Sequence, residues 1–110
     1  MATYYKSEDL KKFPDITRVN KEVGDQFFKY YESVMKQGAL SEREKALIAL
    51  AVAHTLKCPY CIDAYTETCL EKGADEEQMS EAVHVASAMA AGIVLVHSVQ
   101  MMNKIDEIHQ

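Results

Sequence analysis

The chain has 110 residues, 48% apolar and 26% charged, with 17 acidic against 12 basic side chains and a formal net charge of -5. That length supports one folded domain, residues 1–110, and leaves no room for a second core. No basic run exceeds the pair Lys11-Lys12, and the longest apolar stretch, 88–96, is about half of a ~20-residue membrane span, so neither nucleic acid nor a membrane is an expected partner.

The start of the chain lacks an apolar signal run, and its three cysteines then point to a reducing, cytoplasmic setting. Ser7-Glu8-Asp9-Leu10 reads as a short capped turn or helix that stops before Pro14. Residues 17–36 place Val19, Val23, Phe27, Tyr30, Tyr31 and Val34 on one stripe at three- and four-residue steps, which predicts an amphipathic helix ended by Gly38. Seven of the nine aromatic residues, including Tyr4, Tyr5, Phe13 and Phe28, fall in this N-terminal third and are expected to wall a pocket or a subunit contact.

Ser41-Glu42-Arg43-Glu44 matches a capping box, in which the Ser41 hydroxyl and the Glu44 carboxylate satisfy each other's backbone N–H groups. The helix it opens, 42–56, is apolar almost all round and is expected at the centre of the domain or of an oligomer interface. A further helix is predicted over 59–72, closed by Gly73. Residues 76–107 follow as one kinked or two successive helices, with Gly92 interrupting the pattern and His84, Ser87, Ala88 and Ala91 forming a small-residue stripe. No segment alternates with period two, so the fold class is all-α, a bundle of about five to six helices.

The chemistry concentrates at Cys58-Pro59-Tyr60-Cys61. Pro59 suits the first position of a helix and disfavours helical geometry at Cys58, which makes Cys58 the N-cap beside free N–H groups and the positive end of the helix dipole. That environment favours a thiolate. Two thiols at this spacing can cycle with a disulfide, contribute to a metal site, or simply pack. Zinc asks for four N/S ligands, and a single CxxC would need His54 or His84 as well, so no metal or other cofactor is expected.

Cys58, Cys61 and Tyr65 lie within about 60° of one another on a helical projection. His54, four residues before Cys58, is the nearest imidazole in sequence and is able to exchange protons near neutral pH, although its apolar stripe also fits a core histidine. Tyr65 also fits simple packing. Glu44 is a further candidate proton carrier beside its capping job. Cys69, two turns beyond Cys61, reads as a buried small hydrophobe.

The order Arg43-Glu44-Lys45, Leu47-Ile48-Ala49-Leu50-Ala51-Val52-Ala53, Cys58-Pro59-Tyr60-Cys61-Ile62-Asp63-Ala64, Gly73-Ala74 and Glu76-Glu77 resembles the carboxymuconolactone decarboxylase / alkylhydroperoxidase-like superfamily over 42–91. Tyr4-Tyr5, Cys58 to Tyr65 and the tail from Val96 to Met102 are also similar to peroxidase-like proteins associated with arsenosugar biosynthesis.

The resemblance implies an all-helical homo-oligomer, a trimer or hexamer, whose CxxC reduces hydroperoxides and is restored by an external dithiol. It implies Cys61 as the attacking and Cys58 as the resolving sulfur, the reverse of the order that the helix dipole favours. It also implies a His at position 65 and a Glu at position 46, where this chain has Tyr65 and Ala46. Tyr65 and His54 are the expected substitutes. The missing relay leaves two functions open: a hydroperoxidase, or a dithiol–disulfide oxidoreductase or thiol carrier acting on a protein or small-molecule disulfide, with arsenic–thiol species among the latter's substrates. A non-enzymatic oligomer, metal-binding or structural, is the third reading.

Overall fold

The computed structural model describes residues 5–110, and Tyr4 lies outside them. An N-terminal 3-10 segment, Ser7–Thr17, is followed by α1 (Lys21–Met35), α2 (Glu42–Thr55), α3 (Pro59–Glu71), α4 (Glu76–Val96) and α5 (Ser98–Ile108). The architecture is all-α. Its spine is α2, packed against α3 on one side and α4 on the other.

The local signals explain most boundaries. Ser41 and Glu44 form the capping box at the start of α2, and Asp75 with Gln78 forms a second at the start of α4. Gly73, at φ 91, closes α3: its N–H reaches the Leu70 carbonyl and the next N–H, of Ala74, reaches that of Cys69. Lys45 of α2 donates from Nζ to the carbonyls of Val34 (2.6 Å) and Lys36 (2.5 Å), which satisfies the orphan end of α1 and ties it to the spine.

Several boundaries differ from the sequence expectation. The 3-10 segment does not stop before Pro14 but runs through it, because short i→i+3 turns tolerate the missing N–H better than an α-helix interior. Asn20, rather than the region of Thr17, caps α1 by accepting the Val23 N–H, which leaves Val19 outside the helix and 97% exposed. Lys36 ends α1 in an extended conformation, before Gly38 is reached. Gly92 sits inside α4, and the break falls at His97, whose ring bonds the Ile93 carbonyl as the chain turns into α5.

The core is small: Ala46 and Leu50 of α2, Cys69 of α3 and Ala74, with Leu47, Tyr65 and Met79 packed against it. The apolar wrap of α2 is therefore only partly used, with Ala46, Leu50 and Ala53 buried but Ile48 and Val52 half exposed. On α4 the half-buried positions are Gln78, Met79, Ala82, Val83 and Ala86, whereas His84, Ser87, Ala88 and Ala91 are exposed.

The radius of gyration is 19.1 Å, against about 13 Å for a compact chain of this length. The accessible surface is 8886 Å², against about 6,100 Å² for a folded monomer of this mass. Much of the excess belongs to α4 and α5, which contain no buried residue. Among the described residues one helical stretch, Glu76–Ile108, is long and apolar enough to cross a membrane by length and composition, with a mean hydropathy of 1.8 over its best 18-residue window. The uninterrupted run 88–96 understated this, because scattered polar residues such as His84 and Ser87 barely lower a window average.

Candidate functional site

The junction between α2 and α3 is built by backbone bonds. The Lys57 N–H donates to His54 and the Cys58 N–H to Ala53, at 3.2 and 3.0 Å, closing α2 with paired carbonyl caps. This closure requires a left-handed residue at position 57, and Lys57 adopts φ 56 without being glycine. Cys58 then takes an extended conformation as the N-cap of α3, with Pro59 next. Its sulfur accepts the Cys61 N–H at 3.2 Å. The two sulfurs are joined as a disulfide with Cα atoms 5.3 Å apart, within the usual span.

One of the two cysteines has a cavity beside it. Cys61 lines a space of about 550 Å³ together with Phe13, Phe27, Tyr31, Tyr60 and Tyr65. That volume lies in the range of small-molecule sites. The aromatic walls support one another: Phe13 meets Tyr31 at 5.8 Å and Tyr60 at 6.0 Å, and Phe27 meets Tyr31 at 5.8 Å. The polar contribution comes from Thr68 and from the carboxylates Glu67 and Glu71 on α3, both exposed. No Lys, Arg or His lines it. Burial raises the Tyr31 phenol above its ordinary range, so this wall stays neutral.

The other candidates distribute as follows. Tyr65 shares the cavity with Cys61 and also packs against the core. His54 does not line that cavity: its Nδ1 bonds the Leu50 carbonyl at 2.9 Å, and the residue lines two smaller hollows, one between α2 and α4 and one bordered also by Ile62 and Thr66 of α3, with Val83 in both. Glu44 accepts the Ser41 N–H at 2.8 Å, a bond that holds its carboxyl below the ordinary range. Ala46, where the resemblance expects a glutamate, is fully buried in the core beside Cys69. Burial pushes the Cys69 thiol up, away from thiolate reactivity. Among the described residues no three His, Cys, Asp or Glu side chains gather as a metal site.

Two elements escaped sequence reasoning. Asp63 accepts hydrogen bonds from Ser7 (2.6 Å) and Tyr5 (2.5 Å), and these, in that order, hold its carboxyl below the ordinary range. The partners lie more than fifty residues away in sequence, so no local pattern shows them. The strained Lys57 is hidden because glycine is the usual signal for that conformation.

Residues 21–104 match the carboxymuconolactone decarboxylase family. The chain is 37% identical over 94 residues to an uncharacterized protein 4 in the cox locus of Paracoccus denitrificans, covering 86% of this chain and 85% of that one. It is also similar to a crystal structure of a protein from Methanobacterium thermoautotrophicum, with a TM-score of 0.70 and 30% identity over 86% of this chain and 96% of that one. Neither name states an activity.

Proposed function

Because the chain belongs to the carboxymuconolactone decarboxylase family, with a CxxC pair joined at a helix start, we propose that it is a dithiol–disulfide redox enzyme that reduces apolar hydroperoxides. The observation that carries this reading is the placement of Cys61, rather than Cys58, on the wall of the aromatic cavity.

In the reduced enzyme the Cys61 thiolate attacks the terminal peroxide oxygen. The O–O bond breaks, a sulfenic acid forms on Cys61, and the departing alkoxide takes a proton. Tyr65 is the donor in the cavity, and its phenolate regains a proton from solvent, which took up the one that Cys61 lost on ionising. A phenol titrating near ~10 is a weak base at neutral pH but a competent acid towards an alkoxide, which is far more basic. The Cys58 thiol then attacks the sulfenic sulfur, the S–S bond forms, and the hydroxyl leaves as water with the thiol proton. Two electrons pass from the thiols, and one hydroperoxide becomes one alcohol and one water. An external dithiol restores the pair by exchange in a reducing, cytoplasmic compartment.

A second reading keeps the same sulfurs and replaces the peroxide with a small-molecule disulfide. It is favoured by the absence of an imidazole from the cavity lining, since thiol exchange needs no proton delivered to a departing oxygen. Steady-state turnover with dithiothreitol as reductant separates the two. Reduction of cumene hydroperoxide supports the first, reduction of a disulfide alone supports the second, and activity with neither removes both.

The same chain is proposed to act as a homo-oligomer. A stable contact buries about 800 Å² per partner, and the apolar residues Val85, Met89, Ile93 and Val96 on α4, with Met101 and Ile105 on α5, offer uncovered faces. A second copy of the chain is the occupant that supplies matching faces. Light scattering at micromolar concentration, without detergent, reports a mass well above 12.4 kDa if this holds. A monomer, or a protein that requires detergent, contradicts it.

A further inference from the structure

The residues in and after the CxxC also hold the opposite wall of the cavity. Tyr60, between the two cysteines, donates its hydroxyl to the Leu10 carbonyl at 2.8 Å, with the Asp9 carbonyl at 3.2 Å. Two residues past Cys61, one oxygen of Asp63 accepts from both Ser7 and Tyr5. Tyr5 in turn meets the Tyr60 ring edge-on at 6.0 Å. The 3-10 segment is therefore hung from the first turns of α3.

Helix α1 also meets it, through Phe13 against Phe28 at 5.4 Å and Tyr31 at 5.8 Å and through the close approach of Thr17 to Gly24. The segment Ser7–Thr17 contains no buried residue, so it lacks the core packing that fixes α2 and α3. Yet its Leu10 and Phe13 side chains are part of the cavity wall beside Cys61. The wall that would enclose a substrate is held by polar bonds made to α3 and by edge contacts with α1 rather than by its own burial. Bonds to an ionised carboxylate are about twice as strong as neutral ones, and Asp63 makes two of them.

We propose that Asp63 is a positioning residue that sets the substrate range: by clamping the N-terminal strap over the Cys61 cavity, it admits bulky apolar substrates as tight ligands. Asp63 does not line the cavity and acts only through Tyr5, Ser7 and the strap. The inference rests on the reading of the cavity as the substrate site. Small oxidants that need no wall are indifferent to the clamp.

The test compares Asp63→Ala and Asp63→Asn with the double variant Tyr5→Phe/Ser7→Ala, which opens the clamp from the strap side and leaves α3 intact. Binding of cumyl alcohol to the oxidised protein is followed by the NMR shifts of Phe27 and Tyr31, and KM and kcat are measured for cumene hydroperoxide and hydrogen peroxide. Loss of a charge-assisted pair predicts about a tenfold weaker cumyl alcohol Kd and a matching rise in KM for cumene hydroperoxide. Turnover of hydrogen peroxide stays within about twofold, and the double variant reproduces Asp63→Ala.

An unchanged cumyl alcohol Kd in both variants, or equal losses for both peroxides, overturns the clamp. So does a wild-type protein that does not bind the alcohol. A wild type that binds cumyl alcohol and shows the predicted Kd shifts, but reduces no hydroperoxide, removes the peroxidase reading and leaves the clamp standing.

Discussion

The backbone N–H of Cys58 donates to the carbonyl of Ala53 at 3.0 Å, so the first cysteine of the disulfide is fixed by the end of α2 before it opens α3. One residue thus closes one helix and caps the next. The sulfur that accepts the Cys61 N–H is held by the rigid spine of the fold, since Ala53 is itself buried.

That closure depends on Lys57 in the left-handed region, at φ 56. A side chain with a Cβ holds this conformation at a cost of roughly 1–2 kcal/mol that glycine does not bear. Lys57→Gly is expected to raise stability by about 0.5–1 kcal/mol, read as a higher urea midpoint with an unchanged m-value. A lower midpoint would show that the Lys57 side chain contributes more than the strain removes.

Gly24 governs how α1 meets the strap. A Cβ built there overlaps the Thr17 hydroxyl and comes within 2.5 Å of the Thr17 Cβ. Gly24→Ala therefore forces the strap away despite the better helix propensity of alanine, with an expected loss of about 1–3 kcal/mol. Thr17→Gly in the same chain makes room and recovers most of it. A double-mutant cycle on urea midpoints measures the coupling, and purely additive values would contradict the contact.

Much of this arrangement was legible in the sequence because its cause is local. Helix caps, Pro59 at a helix start and Gly73 at a helix end are short-range chemistry, and they placed the starts of α2, α3 and α4 correctly. The CxxC at the α3 start was legible for the same reason. The cavity was only half legible: an N-terminal aromatic concentration was visible, but not that Phe13, Phe27 and Tyr31 would meet Cys61 while Tyr30 stays 70% exposed. His54 shows the limit of sequence proximity. Four residues from Cys58, it lines hollows against α4 and the far side of α3 rather than the aromatic cavity that Cys61 lines.

The depressed carboxyls set the response to acid. Hydrogen bonds from Ser7 and then Tyr5 lower Asp63 from its ordinary 3.8, and the 2.7 Å pairing with Lys72 lowers Glu42 from 4.5. Groups lowered on folding contribute fully above those ordinary values, and the contribution fades as pH falls through the lower folded ones. Lys72 is raised by Glu42, so its share is complete below 10.5 and is lost only at higher pH. Urea midpoints are expected to hold between pH 5 and 8 and to drop below about pH 4.5. Asp63→Asn should flatten part of that drop, and an identical acid profile would contradict the assignment.

The proposed mechanism has Tyr65 supply a proton in the peroxide step, and its ring also packs against the core. Tyr65→Phe keeps the ring and removes only the hydroxyl. The account expects at least a tenfold fall in kcat for cumene hydroperoxide, within the usual span of general acid catalysis. Exchange with a small disulfide should be nearly untouched. Equal falls for both substrates would point to packing instead.

The central claim is that Cys61 meets the substrate and Cys58 resolves it. The direct measurement is a thiol count and a sulfenic-acid trap on reduced protein given one equivalent of cumene hydroperoxide. Wild type should lose two of its three thiols without a trappable sulfenic acid. Cys58→Ser should accumulate the sulfenic acid on Cys61, whereas Cys61→Ser should react at least about a hundredfold more slowly. A sulfenic acid that forms on Cys58 at the wild-type rate, or a wild type that keeps all its thiols, would contradict the account.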